Sequence, residues 1–169
     1  MKKNFILASL VTVLAVFSSF SALSYDGTIK FRGTIINEGC TITTKDVAVD
    51  FGKLSKNAFG GKANIVGISK DFSISLTSCD VTGALGISFD GGPDADNKNV
   101  YSSGLAGVGI QILKGSDGNN IAPGTNVPGI ATIASNTATM NFRAGLISTK
   151  NNVSIGSIDK TFNFTIIYP

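Results

Sequence analysis

Apolar side chains recur at every second position in one short segment after another, and this period constrains the fold more than any other feature. Alternation of this kind is typical of a strand with one buried face. Seven runs show it, at residues 27–35, 47–51, 72–76, 85–89, 108–112, 140–146 and 162–168. Turn-forming clusters such as Asp90-Gly91-Gly92-Pro93 lie between the runs. The pattern predicts an all-β sandwich of about seven strands.

The first residues have the organisation of an export signal. Lys2 and Lys3 precede a run of 13 mostly apolar residues at 5–17, and small residues at Ala22 and Ser24 mark a cleavage site before Tyr25. A membrane-spanning helix would need roughly 20 apolar residues, which is longer than this run. We therefore expect residues 1–24 to be a cleaved signal peptide and 145 residues (169 − 24) to remain.

Composition argues against an enzyme and against a nucleic-acid-binding protein. The chain has no histidine, which removes the usual general base at neutral pH and the commonest zinc ligand. Without the two signal-peptide lysines, 12 Lys and Arg face 11 Asp and Glu, so the mature net charge is +1. No basic field for nucleic acid remains. The sequence predicts a protein that is not an enzyme, without catalytic residues, cofactor or metal site.

Cys40 and Cys79 are the only cysteines in the chain. An exported protein meets an oxidising environment, where an even pair of cysteines is expected to form a disulfide bond. The alternative, a reactive thiol, lacks a basic partner that would lower the thiol pKa. We predict a Cys40–Cys79 disulfide that closes a loop of 40 residues.

Strongly alternating runs lie near both ends of the mature chain. The run at 162–168 is the most apolar of the set, and the run at 27–35 begins just after the expected cleavage site. One interpretation is that the two runs pair with each other and close the molecule's own sandwich. The other is that each completes the sheet of a different molecule by strand addition.

The combination of these segments resembles a known family, the chaperone-usher pilus subunits of the type 1 fimbrial kind. The resemblance lies in Gly27-Thr-Ile-Lys-Phe-Arg-Gly-Thr-Ile35 before Cys40, Phe72-Ser-Ile-Ser-Leu-Thr-Ser-Cys79, Gly107-Val-Gly-Ile-Gln-Ile-Leu113 and Phe162-Asn-Phe-Thr-Ile-Ile-Tyr168. It implies a structural pilus subunit that supports bacterial adhesion. It also implies export through the periplasm to the cell-surface fimbrium.

The resemblance further implies an incomplete immunoglobulin-like sandwich that is completed by a donated strand. The pilin domain would be residues 39–169, preceded by an N-terminal donor-strand extension at 25–38. The extension's inward residues would be Gly27, Ile29, Phe31, Gly33 and Ile35. The strand that receives a periplasmic chaperone, and later a neighbouring pilus subunit at the outer-membrane usher, would be 160–168, with Phe162, Phe164, Ile166, Tyr168 and Pro169 as its site residues.

Gly33 interrupts the large residues of the donor set. It can mark a bulge, or it can face a part of the acceptor groove that is too shallow for a Cβ. Two rival functions stay open on sequence alone. One is a self-contained exported carbohydrate-binding β-sandwich, and the other is a secreted enzyme that uses two carboxylates. The second has weak support because Glu38 is the only glutamate.

Overall fold

A computed structural model describes residues 29–30, 32, 39–115 and 117–169. The chain divides into two units, Met1–Ile36 and Asn37–Pro169. The signal peptide and most of the predicted donor extension, including Gly27, Phe31, Gly33 and Ile35, lie outside the described residues. Ile29 is described, and its side chain is exposed.

The unit Asn37–Pro169 is built from antiparallel strands, as predicted, and its described residues contain no α-helix. Its eight strands are β1 (Thr41–Ile42), β2 (Val66–Thr77), β3 (Ala84–Asp90), β4 (Tyr101–Ser102), β5 (Val108–Lys114), β6 (Val127–Thr132), β7 (Ala138–Ser148) and β8 (Asn163–Ile167). A short 3-10 helix occupies Lys56–Phe59. No helix in the described part of the chain is long and apolar enough to cross a membrane.

The strands form two sheets. The larger has the order β1-β2-β7-β5-β4, and the smaller has the order β6-β3-β8. The inward residues of both sheets make one apolar core, because period-two alternation places every second side chain on the same face. Phe142 on β7 and Phe89 on β3 join the two sheets, with ring centroids 5.4 Å apart in an edge-to-face arrangement.

The prediction of a strand at 47–51 is wrong, because these residues form no hydrogen-bonded strand. Val47, Val49 and Phe51 are partly buried and the residues between them are exposed, so the strand-like alternation is present. The ladder between β1 and β2 ends with the Thr43 N–H, which donates to the Ser75 carbonyl at 3.0 Å. Beyond it, no described strand pairs with the segment, and the alternating face packs without a ladder.

Sequence reasoning missed β6, and it placed the last strand over 160–168 where the structure has Asn163–Ile167. Pro128 and Gly129 interrupt β6, and Gly129 has a φ of 65°. Proline removes a ladder donor and is found mainly in edge strands, where β6 lies. The apolar alternation of β6 is therefore too short to be recognised from the sequence.

Candidate strand-acceptor edge

The two sheets have four edges, and three of them are unsuited to a further strand. β1 and β4, at the edges of the larger sheet, are two residues long each. β6, at one edge of the smaller sheet, carries Pro128 and a register shift against β3. Short strands, prolines and bulges are the devices by which proteins block edge-to-edge pairing.

The fourth edge, β8, has none of these devices. It pairs with β3 in unbroken register, from Gly86 opposite Ile167 to Asp90 opposite Asn163. Residues 162–168 contain no proline and no charged side chain. Within the described residues no strand pairs with the other side of β8, so its outward backbone N–H and C=O groups are arranged as a template for another strand.

The side chains of this edge follow the predicted alternation. Asn163 and Thr165 are exposed, whereas the residues on the other face are partly buried and pack against the core. The inward set is Phe162, Phe164, Ile166 and Tyr168. The structure therefore brings four of the five predicted acceptor residues onto one face. Because they keep part of their surface accessible, a strand placed beside β8 would cover further apolar area.

The start of the edge is held by aromatic packing. The rings of Phe162 and Tyr101 lie 5.0 Å apart, which fixes the residue before β8 against β4 of the other sheet. Gly91 makes this approach possible, since a Cβ there would lie 2.7 Å from Tyr101 Cδ1 and 2.8 Å from Phe162 Cδ1. Burial raises the pKa of the Tyr101 hydroxyl to about 12.

The end of the edge is held by the disulfide region. The Cys40 N–H donates to the Tyr168 hydroxyl at 3.1 Å, although the two residues are 128 positions apart. Pro169, the fifth predicted residue, lies at Gly83, where a Cβ would be 3.2 Å from the Pro169 Cγ. No spacing in the sequence signals the contact between Tyr168 and Cys40, because it depends on the folded path of the chain.

The predicted disulfide is confirmed, with Cys40 Sγ and Cys79 Sγ 2.03 Å apart. Its surroundings are well bonded: the Cys79 N–H donates to the Asn136 carbonyl and the Asp80 N–H to the Gly39 carbonyl, both at 3.0 Å. The disulfide thus ties β1, the end of β2 and, through Tyr168, the end of β8. The residues that immediately follow the predicted donor extension are fixed at this point.

The described residues include no group of three or more His, Cys, Asp or Glu side chains that could hold a metal ion. What the fold and the edge define is an all-β sandwich protein with a regular and apolar edge strand of five residues. Residues 29–169 match the family described as Fimbrial protein, and the chain belongs to this family. It is a fimbrial subunit and not an enzyme, as the sequence predicts.

Individual relatives agree with the family. The chain is similar to long polar fimbria protein A of Salmonella typhimurium, with 31% identity over 180 residues, which covers 99% of this chain and 97% of the relative. It is similar to the type-1 fimbrial protein subunit of Serratia marcescens, with 34% identity over 188 residues and 99% of each chain covered. A chain in the solved structure of a chaperone-usher pilus shares the fold, with a TM-score of 0.65 at 22% identity over 86% of this chain and 96% of that chain.

Proposed function

We propose that this fimbrial subunit polymerises by donor-strand exchange, with β8 as the acceptor and residues 25–38 of a neighbouring subunit as the donor. The observation that carries the proposal is the contrast between the four sheet edges. Three edges are two residues long or blocked, and among the described edges only β8 combines a regular register with a row of partly accessible apolar side chains.

The donor sequence has the complementary pattern. Ile29, Phe31 and Ile35 are an even number of positions apart, so they would lie on one face of an extended strand. Full burial of such side chains contributes about 1.5 to 3 kcal/mol each. The three together offer on the order of 5 to 9 kcal/mol before the cost of ordering the segment. Backbone hydrogen bonds to the outward groups of β8 add to this energy. Gly33 would then lie over a shallow part of the groove, where a larger side chain would clash.

The same edge needs cover before assembly, because an exposed apolar edge strand is an aggregation site. We propose that a periplasmic chaperone lends a strand to β8 and that an outer-membrane usher exchanges it for the donor of the next subunit. The solved pilus that shares this fold belongs to the chaperone-usher class. The assembled product would be a surface fimbrium that supports adhesion.

Neighbouring residues of the donor segment would point to opposite faces of the strand, and this alternation allows a matched test. Ile35→Asp places a charge on the inward face of the donor, and Thr34→Asp places the same charge one position away on the opposite face. We expect Ile35→Asp to abolish fimbriae on the cell surface and Thr34→Asp to retain them, as measured by electron microscopy and by the yield of sheared fibres. Equal assembly by the two variants would refute strand donation by this segment.

A second test separates donation from chaperone capture. Deletion of residues 25–35, or Gly33→Leu, should prevent polymerisation and still yield a folded subunit bound to its chaperone, since capture uses β8 and not the extension. Co-purification of the subunit with the chaperone measures the first step, and fibre yield measures the second. A subunit that lacks residues 25–35 and still donates a strand to its neighbour would contradict the proposal.

A further inference from the structure

Gly39 and Cys40 are the first described residues after the predicted donor extension, and we call this pair the donor root. The root is held to the end of β2 in the larger sheet. The Gly39 carbonyl accepts a hydrogen bond from the Asp80 N–H at 3.0 Å, and the disulfide joins Cys40 to Cys79. Residues 25–38 are therefore attached to the domain at a fixed point of the larger sheet.

A second link joins the donor root to the smaller sheet through Tyr168, the residue that directly follows β8. The Cys40 N–H donates to the Tyr168 hydroxyl at 3.1 Å, and a Cβ at Gly39 would lie 3.6 Å from both Cζ and the hydroxyl oxygen of Tyr168. Among the described residues, no other hydrogen bond joins the root or β1 to a strand of the smaller sheet. The Tyr168 hydroxyl is therefore the direct polar connection between the root and β8.

This connection joins the two parts of the subunit that take part in the proposed strand exchange. β8 would hold the donor strand of one neighbour, whereas residues 25–38 would reach the β8 of another neighbour. The angle between successive subunits then depends on how the donor root is oriented relative to β8 of the same molecule. The disulfide sets this orientation only through the larger sheet, but the hydrogen bond to Tyr168 sets it directly.

We propose that Tyr168 is a positioning residue for the donor extension, because its hydroxyl holds the donor root against the end of β8 and thereby fixes the angle between successive subunits in the fibre. The inference rests on the proposed function, since it takes strand exchange as given. The hydroxyl can act in this way without blocking the edge, because it lies beyond the last paired residue, Ile167. Packing alone does not require the oxygen, since phenylalanine would fill the same space beside the core.

Tyr168→Phe tests the inference in purified fimbriae. Hydrogen–deuterium exchange, followed by mass spectrometry, should be at least about fivefold faster at the Cys40 amide, the fold-change that corresponds to the net contribution of one hydrogen bond. Electron micrographs of the same fimbriae give the persistence length. The donor root has two restraints, one to each sheet, so the loss of one should shorten the persistence length about twofold. Fibre yield should stay near that of the parent.

Two variants control for stability and for direction. Ile121→Val removes one methylene from a core residue beside β5, a strand that β2 and β7 separate from β1, and it lowers stability without altering the donor root. It should keep the parental persistence length. Gly39→Ala should lengthen it, because the new Cβ would be in ordinary contact with the Tyr168 ring and alanine restricts the backbone of the root. Gly39 does not have a left-handed backbone conformation, so alanine is tolerated there.

Equal persistence lengths for Tyr168→Phe and the parent, at normal fibre yield, would overturn the inference and leave strand exchange standing. The same shortening in Ile121→Val would also overturn it, because the effect would then follow stability. If Tyr168→Phe yields too few fibres to measure, Gly39→Ala decides, and a persistence length at or below that of the parent refutes the positioning role. Failure of strand exchange itself has a different signature, which is equal fibre yield from Ile35→Asp and Thr34→Asp.

Discussion

Two tyrosine hydroxyls near the ends of β8 have opposite surroundings, and the same substitution should therefore destabilise the protein at one position and not at the other. The Tyr168 hydroxyl accepts a hydrogen bond from the Cys40 N–H at 3.1 Å. The Tyr101 hydroxyl is buried and has no hydrogen-bond partner among the described residues. Tyr168→Phe and Tyr101→Phe each remove one oxygen atom and nothing else, so each variant is the control for the other.

The magnitudes follow from these contacts. Tyr168→Phe loses a net hydrogen-bond contribution of about 1 kcal/mol and leaves the partly buried Cys40 N–H without its acceptor, so we expect the free energy of unfolding to fall by about 1 to 2 kcal/mol. Tyr101→Phe removes a buried polar atom that is desolvated without compensation. We expect that variant to gain up to about 1 kcal/mol.

Urea unfolding of the disulfide-intact full chain, followed by far-UV circular dichroism at neutral pH, measures both changes. The denaturation midpoint should fall for Tyr168→Phe and rise or stay constant for Tyr101→Phe, with equal slopes. A midpoint for Tyr168→Phe at or above that of the parent would show that the bond to Cys40 does not hold the end of β8. A fall for Tyr101→Phe as large as that for Tyr168→Phe would refute the reasoning from burial.

Three further predictions concern the same framework. Burial raises the pKa of Tyr101 from 10 to about 12 in the folded protein, so between these pH values the unfolded chain has released a proton that the folded chain retains; the unfolding free energy should be constant below about pH 10 and fall as the pH rises to about 12, and Tyr101→Phe should show a smaller fall. Replacement of Cys40 and Cys79 by Ser should lower the unfolding free energy by about 4 kcal/mol, the chain-entropy value for a 40-residue loop, as compared by urea midpoints. Gly91→Ala should destabilise by about 1 to 3 kcal/mol in thermal unfolding, because its Cβ would lie within 3 Å of two aromatic rings, whereas Gly92→Ala, with no atom near its Cβ, should change stability by less than about 0.5 kcal/mol.

The sequence predicts the core strands well because each has a local signature. In β2, β3, β5, β7 and β8 one face is buried against the opposite sheet, and antiparallel strands with one buried face alternate in hydrophobicity. The signature fails for β6, where Pro128 and Gly129 break the pattern, and for the two-residue strands β1 and β4, which are too short to have a period. The missed elements are all edge strands.

The candidate site is only partly readable from the sequence. The alternation of Phe162, Phe164, Ile166 and Tyr168 identifies the strand, but an edge strand and a central strand can share that alternation, so sequence alone left self-closure and strand addition open. The order of the smaller sheet shows that β8 is an edge among the described residues. The contacts that hold this edge, from Phe162 to Tyr101 and from Tyr168 to Cys40, join residues far apart in the chain and depend on the folded path.

The wrong strand prediction at 47–51 bears on the proposed function. Val47, Val49 and Phe51 alternate as in a strand, and Val47 and Phe51 pack against the core, yet no described strand pairs with them. β8 shows the same combination of a strand-like face and an unpaired edge. Backbone groups in a folded domain are expected to be bonded to protein or water, and an apolar alternating face usually accompanies a ladder. The segment at 47–51 therefore has the side-chain pattern of a strand without the backbone partner that would make it one.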